Sequence, residues 1–342
     1  MTTAENAPTR GRRIARPVGL VLALAGLALC ALLSVMVGSQ DLGVSTVLSA
    51  LTSQDGGQAE TIVWGLRVPR TGFGLAVGAA LGMAGALMQG LTRNPLADPG
   101  LLGVSAGASL AVVLSTGVFG ITSLSGYIWF AFAGAAVASV VVFALGSTGS
   151  GGPTPTKLAL AGAGVSAMIG SLTTSLLLSD AATLERYRFW SVGALSGQDP
   201  ATLLQVLPFL AAGALLAAAV TPGMNLLALG EDTARGLGQR VGLVRGAGVV
   251  AVTLLAGAGV AVCGPIAFVG LVVPHVARAI CGPDHRWVLA YSAVLAPALL
   301  LAADVLGRVV SHPDELHVGI VVAFLGAPFF IALVRRQRIS EL

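Results

Sequence analysis

A chain of 342 residues with 55% hydrophobic and 10% charged side chains departs from soluble domains, in which about 25% of residues are charged. That balance excludes an ordinary soluble domain and points to an all-α polytopic membrane protein. The net charge of +4 does not imply a nucleic-acid partner, because no basic cluster is interleaved with aromatics.

A bilayer span needs about 20 mainly apolar residues. Runs of that order occupy 17–37, 69–90, 100–119, 126–146, 157–179, 201–221, 243–263, 265–281, 287–307 and 316–334. The expectation is therefore ten transmembrane helices, the seventh and eighth meeting at Gly264-Pro265. The 46 glycines let helix backbones approach where water supplies no driving force for association. Arginines ahead of the first run also fit a cleaved signal peptide. The run is longer than a usual signal core, however, and no small-residue cleavage site follows, so it reads as a retained span.

Lysine and arginine mark the cytoplasmic side of a membrane protein. With the N-terminus inside, 14 of the 19 basic residues fall on inner segments, leaving Arg67, Arg70, Arg186, Arg188 and Arg308 outside. The chain divides into a cytoplasmic tail at 1–16, a ten-helix transmembrane domain at 17–334 and a cytoplasmic tail at 335–342. The longest extramembrane segments are 38–66 outside and 222–242 inside.

Along the chain, the turn Arg93-Asn94-Pro95-Leu96-Ala97-Asp98-Pro99-Gly100 follows the second run. Its prolines stop helix propagation, and Asn94 and Asp98 can cap backbone groups. The sole lysine, Lys157, follows Thr156 and precedes Leu158, which excludes the Gly-Lys-Ser/Thr of a phosphate-binding loop. Segment 222–242 suits two short helices broken at Gly230: an apolar one, then one with Glu231 and Asp232 at its N-terminus and Gly236 and Gly238 at its end. It reads equally as a partner-binding element or as an interfacial amphipathic stretch. Cys30, Cys263 and Cys281 sit in or beside apolar runs without metal-type spacing and read as small buried hydrophobes. His275 beside Pro274 reads as a buried polar group at a kink. Asp304 stands four residues before Arg308, the spacing of a helical ion pair, and that pairing can coexist with a docking role for the arginine.

Ionisable residues are otherwise almost absent from the spans, which argues against an ion-coupled secondary transporter. A membrane enzyme would need a convergent polar constellation, and His275, His285, His312 and His317 form no recognisable one. If transport is active, the motor is a separate protein.

Several separated segments carry a resemblance: LRVPR from Leu66, GAALGMAGALMQGLTRNPLADPGLLGVSAGAS from Gly78, LALGEDTARGLG from Leu227, GPIAFVGLVVPHVAR from Gly264, AADVLGR from Ala302 and GIVVAFLGAPFF from Gly319. In these segments the chain resembles the FecCD-type permeases of bacterial ABC importers, over about 60–336. The resemblance implies the BtuC-like type II importer permease fold in the cytoplasmic membrane and transport of a ferric siderophore by alternating access. Cobalamin or haem import on the same fold is the alternative. It implies a second permease subunit, related or identical, two ATP-binding-cassette ATPase subunits and an extracytoplasmic substrate-binding protein. No cofactor is expected in this chain, ATP and magnesium belonging to the ATPase.

The resemblance also implies roles. Arg67, Arg70 and Arg308 match outward arginines that meet carboxylates of the binding protein. Gly230, Glu231, Asp232, Ala234, Gly236 and Leu237 match the cytoplasmic coupling helices that insert into the ATPase. Thr154 and Thr156, in Gly152-Pro153-Thr154-Pro155-Thr156-Lys157, stand where relatives carry small hydroxyl residues at the inner gate.

Overall fold

The computed structural model describes residues 10–340 except 41, 53–56, 122 and 150–153, and for 10–15, 124, 125, 334 and 336–340 only the backbone. Residues 1–9 and 341–342 of the expected tails, and Gly152 and Pro153 beside the expected gate, lie outside the described residues. Among the described residues the chain is helical, with no strand.

In chain order the helices are α1 (Arg10–Met36), α2 (Val44–Thr52), α3 (Gln58–Ile62), α4 (Val68–Thr92), α5 (Val104–Gly117), α6 (Leu124–Gly146), α7 (Pro155–Ser179), α8 (Ala181–Ser191), α9 (Pro200–Ala228), α10 (Glu231–Gly236), α11 (Val241–Cys263), α12 (Val269–Cys281), α13 (His285–Val310) and α14 (Val318–Ser340). A π-helical turn, Val63–Arg67, joins α3 to α4 without a break. Seven described helices are long and apolar enough to cross a bilayer: α1, the stretch Gln58–Thr92, α6, α7, α9, α11 and α13. Three shorter apolar stretches, Val104–Gly117, Val269–Cys281 and Val318–Leu333, fill the remaining apolar runs of the sequence.

Two of the three are shortened by backbone that cannot be helical. A 3₁₀ turn at Pro99–Leu102 and Gly103 at φ 73° precede α5. Gly264 at φ 72° and Phe268 at φ 67° separate α11 from α12. The expected turn chemistry holds between α4 and α5: Asn94 Oδ1 accepts from Leu96 N at 2.9 Å, and Asp98 Oδ1 from Gly100 N at 2.8 Å. Burial pushes the Asp98 carboxyl above its ordinary value despite that bond.

The centre of the bundle is α4 with α11 and α13 packed against it, whereas α1 is almost wholly peripheral. Glycine makes the closest contacts possible. A Cβ on Gly107 of α5 would overlap the carbonyl of Gly134 on α6, and the converse is also true. Gly85 of α4 meets the backbone of Gly270 on α12 in the same way. Such contacts substitute dispersion for the hydrophobic drive that lipid does not provide.

Prolines inside helices orphan the carbonyl four residues back, and in lipid that oxygen must find a donor. Pro274 frees Gly270 O, and the buried Gln89 of α4 donates Nε2 to it at 3.2 Å and to Leu271 O at 3.1 Å. Pro222 frees Ala218 O, and Thr221 Oγ1 donates to it at 2.7 Å. This second repair corrects one expectation. The first half of segment 222–242 is not a separate short helix but the last two turns of α9, carried through Pro222 by the hydroxyl beside it.

Cys263 and Cys281 are buried, Cys30 is half-buried, and all three are free thiols. His275 packs its ring edge-on to Phe329 at 6.0 Å.

Candidate functional site

The charged side chains gather at the two ends of the bundle. At one end, where α1, α4 and α13 meet, stand all three arginines picked out for docking. Arg70, in the first turn of α4, grips Asp304 of α13 with Nε to Oδ2 at 2.9 Å and Nη2 to Oδ1 at 2.8 Å. This two-point geometry is the strong form of an arginine–carboxylate contact. Its Nη1 donates to Glu315 Oε2 at 2.6 Å. One turn along α13, Arg308 Nη2 reaches the other side of Asp304 at 3.0 Å, so the expected helical pair forms and is shared with Arg70. Burial would raise the Glu315 carboxyl, but the hydrogen bond and charge of Arg70 outweigh it and hold the group below its ordinary value.

Arg67 and Arg308 also close the C-terminus of α1, whose last carbonyls have no partner within the helix. Arg67 donates to Val35 O at 3.1 Å, Met36 O at 2.8 Å and Gln40 O at 2.8 Å. Arg308 donates to Ser34 O at 3.0 Å and to Val37 O. The π-turn places Arg67 there, and such turns recur at functional sites. Arg67 and Arg308 are only 4% and 1% exposed. Their guanidinium groups are turned into the protein, whereas the docking expectation had all three facing outward. Arg70, Arg67, Arg308 and Glu315 line a cleft of about 630 Å³ together with Ser196, Gln198 and Asp199.

At the opposite end, α10 follows a two-residue break at Leu229 and Gly230, with Gly230 at φ 116°, a conformation glycine tolerates without strain. Gly238, φ 79°, lies just past its end, so the expected short helix is present with both boundaries. Its residues divide by direction. Ala234 is fully buried. Glu231 is engaged within the chain: Oε1 accepts from Arg235 at 2.7 Å, and Oε2 from the buried Arg245 of α11 at 2.8 Å. Asp232 and Gly236 face outward, and Leu237 is joined by Leu229, 62% and 64% exposed. Leu229, between α9 and α10, and Arg245, fourteen residues beyond Glu231, were not singled out by sequence reasoning.

Thr154 is the N-cap of α7, its Oγ1 accepting from Lys157 N at 3.3 Å, with Pro155 in the first helical position. Thr156 is exposed on the first turn of α7. The two expected gate residues therefore flank Pro155 at the start of α7.

The layout defines a class: a multi-pass membrane protein of apolar helices, with ion-pair networks anchoring each end of the bundle. The chain belongs to the FecCD transport family, whose family model matches residues 22–336. It is 47% identical to the ferric enterobactin transport system permease protein FepD of Escherichia coli (strain K12), over 95% of this chain and 96% of that one. It is 41% identical to the Fe(3+)-citrate import system permease protein YfmD of Bacillus subtilis (strain 168), over 94% of each. In shape it matches an inward-facing metal-chelate type ABC transporter with a TM-score of 0.82 at 26% identity, covering 94% of this chain and 99% of that one.

Proposed function

We propose that the chain is the transmembrane permease subunit of an ATP-binding-cassette importer that moves a ferric siderophore across the cytoplasmic membrane by alternating access. In this reading ten helices cross the bilayer, α5, α12 and the apolar part of α14 completing the seven longer ones, and both termini are cytoplasmic. The distribution of basic residues supports that orientation, and the relatives named for ferric enterobactin and ferric citrate support the substrate class.

The observation that carries the reading is the construction of α10. An exposed apolar pair, Leu229 and Leu237, flanks a six-residue helix whose first carboxylate, Glu231, is tied to buried Arg245. A partner seated on that surface pulls on α11 through the ion pair and on α9 through the chain. This is a lever for a separate ATPase, with ATP and magnesium held there. Asp232, Gly236 and Leu237 supply the surface, while Gly230, Glu231 and Ala234 hold the lever's shape.

At the arginine end a substrate-binding protein docks. Arg70 is the contact of the three, because an incoming carboxylate can exchange with Glu315, whereas Arg67 and Arg308 fix the frame behind it. Opposite a second permease, related or identical, α14 offers Ala323, Phe324, Ala327 and Ile331 along an apolar groove of about 580 Å³. Small residues four apart permit close helix contact. Thr154 and Thr156 stand at the inner mouth of the pathway.

The test is ATP hydrolysis by the assembled complex in nanodiscs, with loaded binding protein bearing a panel of ferric chelates, cobalamin and haem. Stimulation by a ferric siderophore supports the proposal. Stimulation by cobalamin or haem alone refutes the substrate, and none from any loaded protein refutes the importer.

A further inference from the structure

A second basic cavity lies at the α10 end, apart from the lever. It has a volume of about 260 Å³ and is lined by Gln89, Gly90, Arg93, Pro95, Ala228, Arg278 and His285. At roughly 30 Å³ per water, it admits a phosphate group with part of its hydration.

Its two guanidinium groups lack carboxylate partners among the described residues. Arg278 Nη2 donates to Gln89 Oε1, and Arg93 Nη2 donates to Leu227 O. A guanidinium offers five donors, of which these bonds use one on each. Asp284 caps the N-terminus of α13, where its Oδ1 accepts from Asn225 Nδ2 at 2.8 Å and from Arg286 N at 3.0 Å rather than from either guanidinium. Asn225 Oδ1 takes His285 Nδ1 at 2.9 Å, leaving Nε2 against Gly90, where a Cβ would strike it.

Arg278 is held in place rather than swinging free. Gln89 is fixed by its bonds to the carbonyls around the Pro274 break, and its remaining oxygen orients the guanidinium. A half-buried cation held without a counter-charge is costly in a low-dielectric setting, and an anion in the cavity offsets that cost. The half-buried Trp287, two residues beyond His285 in α13, marks the level as the membrane–water interface, where such aromatics settle. Lipid phosphates lie at that depth, and basic pockets between membrane helices take anionic headgroups.

We infer that Arg93 and Arg278, the latter oriented by Gln89, form a binding site for a phosphate group, supplied by an anionic phospholipid headgroup or by free phosphate. The test is native mass spectrometry of the purified full-length chain in detergent, titrated separately with phosphatidylglycerol, phosphatidylcholine and inorganic phosphate. Wild type and Arg286→Gln, which alters an exposed arginine outside the cavity, should bind phosphatidylglycerol about thirtyfold more tightly than Arg93→Gln/Arg278→Gln. Phosphatidylcholine should show no such difference. If Arg278→Gln impairs folding, Arg93→Gln alone, on an exposed turn, should lose about fivefold. Selective binding of inorganic phosphate in place of the lipid would support the site and assign the free anion. Equal phosphatidylglycerol binding by wild type and a folded double variant, or binding of neither anion, would overturn the inference.

Discussion

Replacing Asp304 by alanine removes a fully buried carboxylate that Arg70 holds at 2.8 and 2.9 Å and Arg308 meets at 3.0 Å. Arg70 is left with Glu315, and Arg308 keeps the carbonyls of Ser34, Val37 and residue 304 and the Ser34 hydroxyl. Removing one partner of a buried ion pair costs about 3–5 kcal/mol, because the surviving charge stays buried. Glu315→Gln is the control: that carboxylate is 29% exposed and reaches one of the arginines, so its loss should cost about 1 kcal/mol or less. The assay is unfolding of the purified chain in mixed micelles by stepwise addition of sodium dodecyl sulfate, read by tryptophan fluorescence. Asp304→Ala should unfold at markedly lower detergent fraction than Glu315→Gln. In a cycle with Arg70→Met, the two changes should be non-additive by about 0.5–3 kcal/mol. An Asp304→Ala loss below about 1 kcal/mol, or additivity within about 0.5 kcal/mol, would refute the buried network as the clamp on α1.

Glu231→Gln and Arg245→Met should each lower transport while leaving the ATPase associated, because they loosen the lever without altering its exposed face; pull-down and uptake on the same preparation separate the two effects. Leu229→Asp/Leu237→Asp should instead release the ATPase, and co-purification unchanged from wild type would contradict the assigned surface. Gln89→Leu orphans Gly270 O and frees Arg278, with an expected loss of about 1–3 kcal/mol in the same micelle assay. Glu315 titrates below its ordinary value of 4.5. Its stabilising contribution is therefore complete above pH 4.5 and is lost as pH falls through the depressed folded value. Wild type should lose more stability than Glu315→Gln over that acid window, and parallel pH curves would contradict the ion pair.

The apolar runs were legible because a bilayer sets a length, and every described helix long enough to cross contains most or all of one of them. What escaped was the set of contacts fixed only by how helices lean on one another. Arg70 and Asp304 are 234 residues apart, and Glu315 is 245 from Arg70, so nothing local announces that Arg70 joins the Asp304–Arg308 pair that the spacing predicts. The same holds for Glu231: its place at a helix N-terminus is readable, but Arg245 turns it from a surface charge into an anchor. Pro222 was misread for a different reason. Proline followed by glycine is a strong break signal, yet Thr221 donates to the freed carbonyl and the helix continues. Gln89 gave one available clue, a lone amide in an apolar run four residues ahead of Arg93, while its partner carbonyls came into view only with α12 packed against α4.

Uptake of iron-labelled siderophore into proteoliposomes bears most directly on the central claim. The vesicles would hold this chain, its second permease, the ATPase and the binding protein. Accumulation should require internal ATP and disappear when the ATPase carries a catalytic substitution, whatever proton or sodium gradient is imposed. Accumulation driven by an ion gradient alone, with the disabled ATPase in place, would contradict the assignment of this chain as the passive half of a two-part machine.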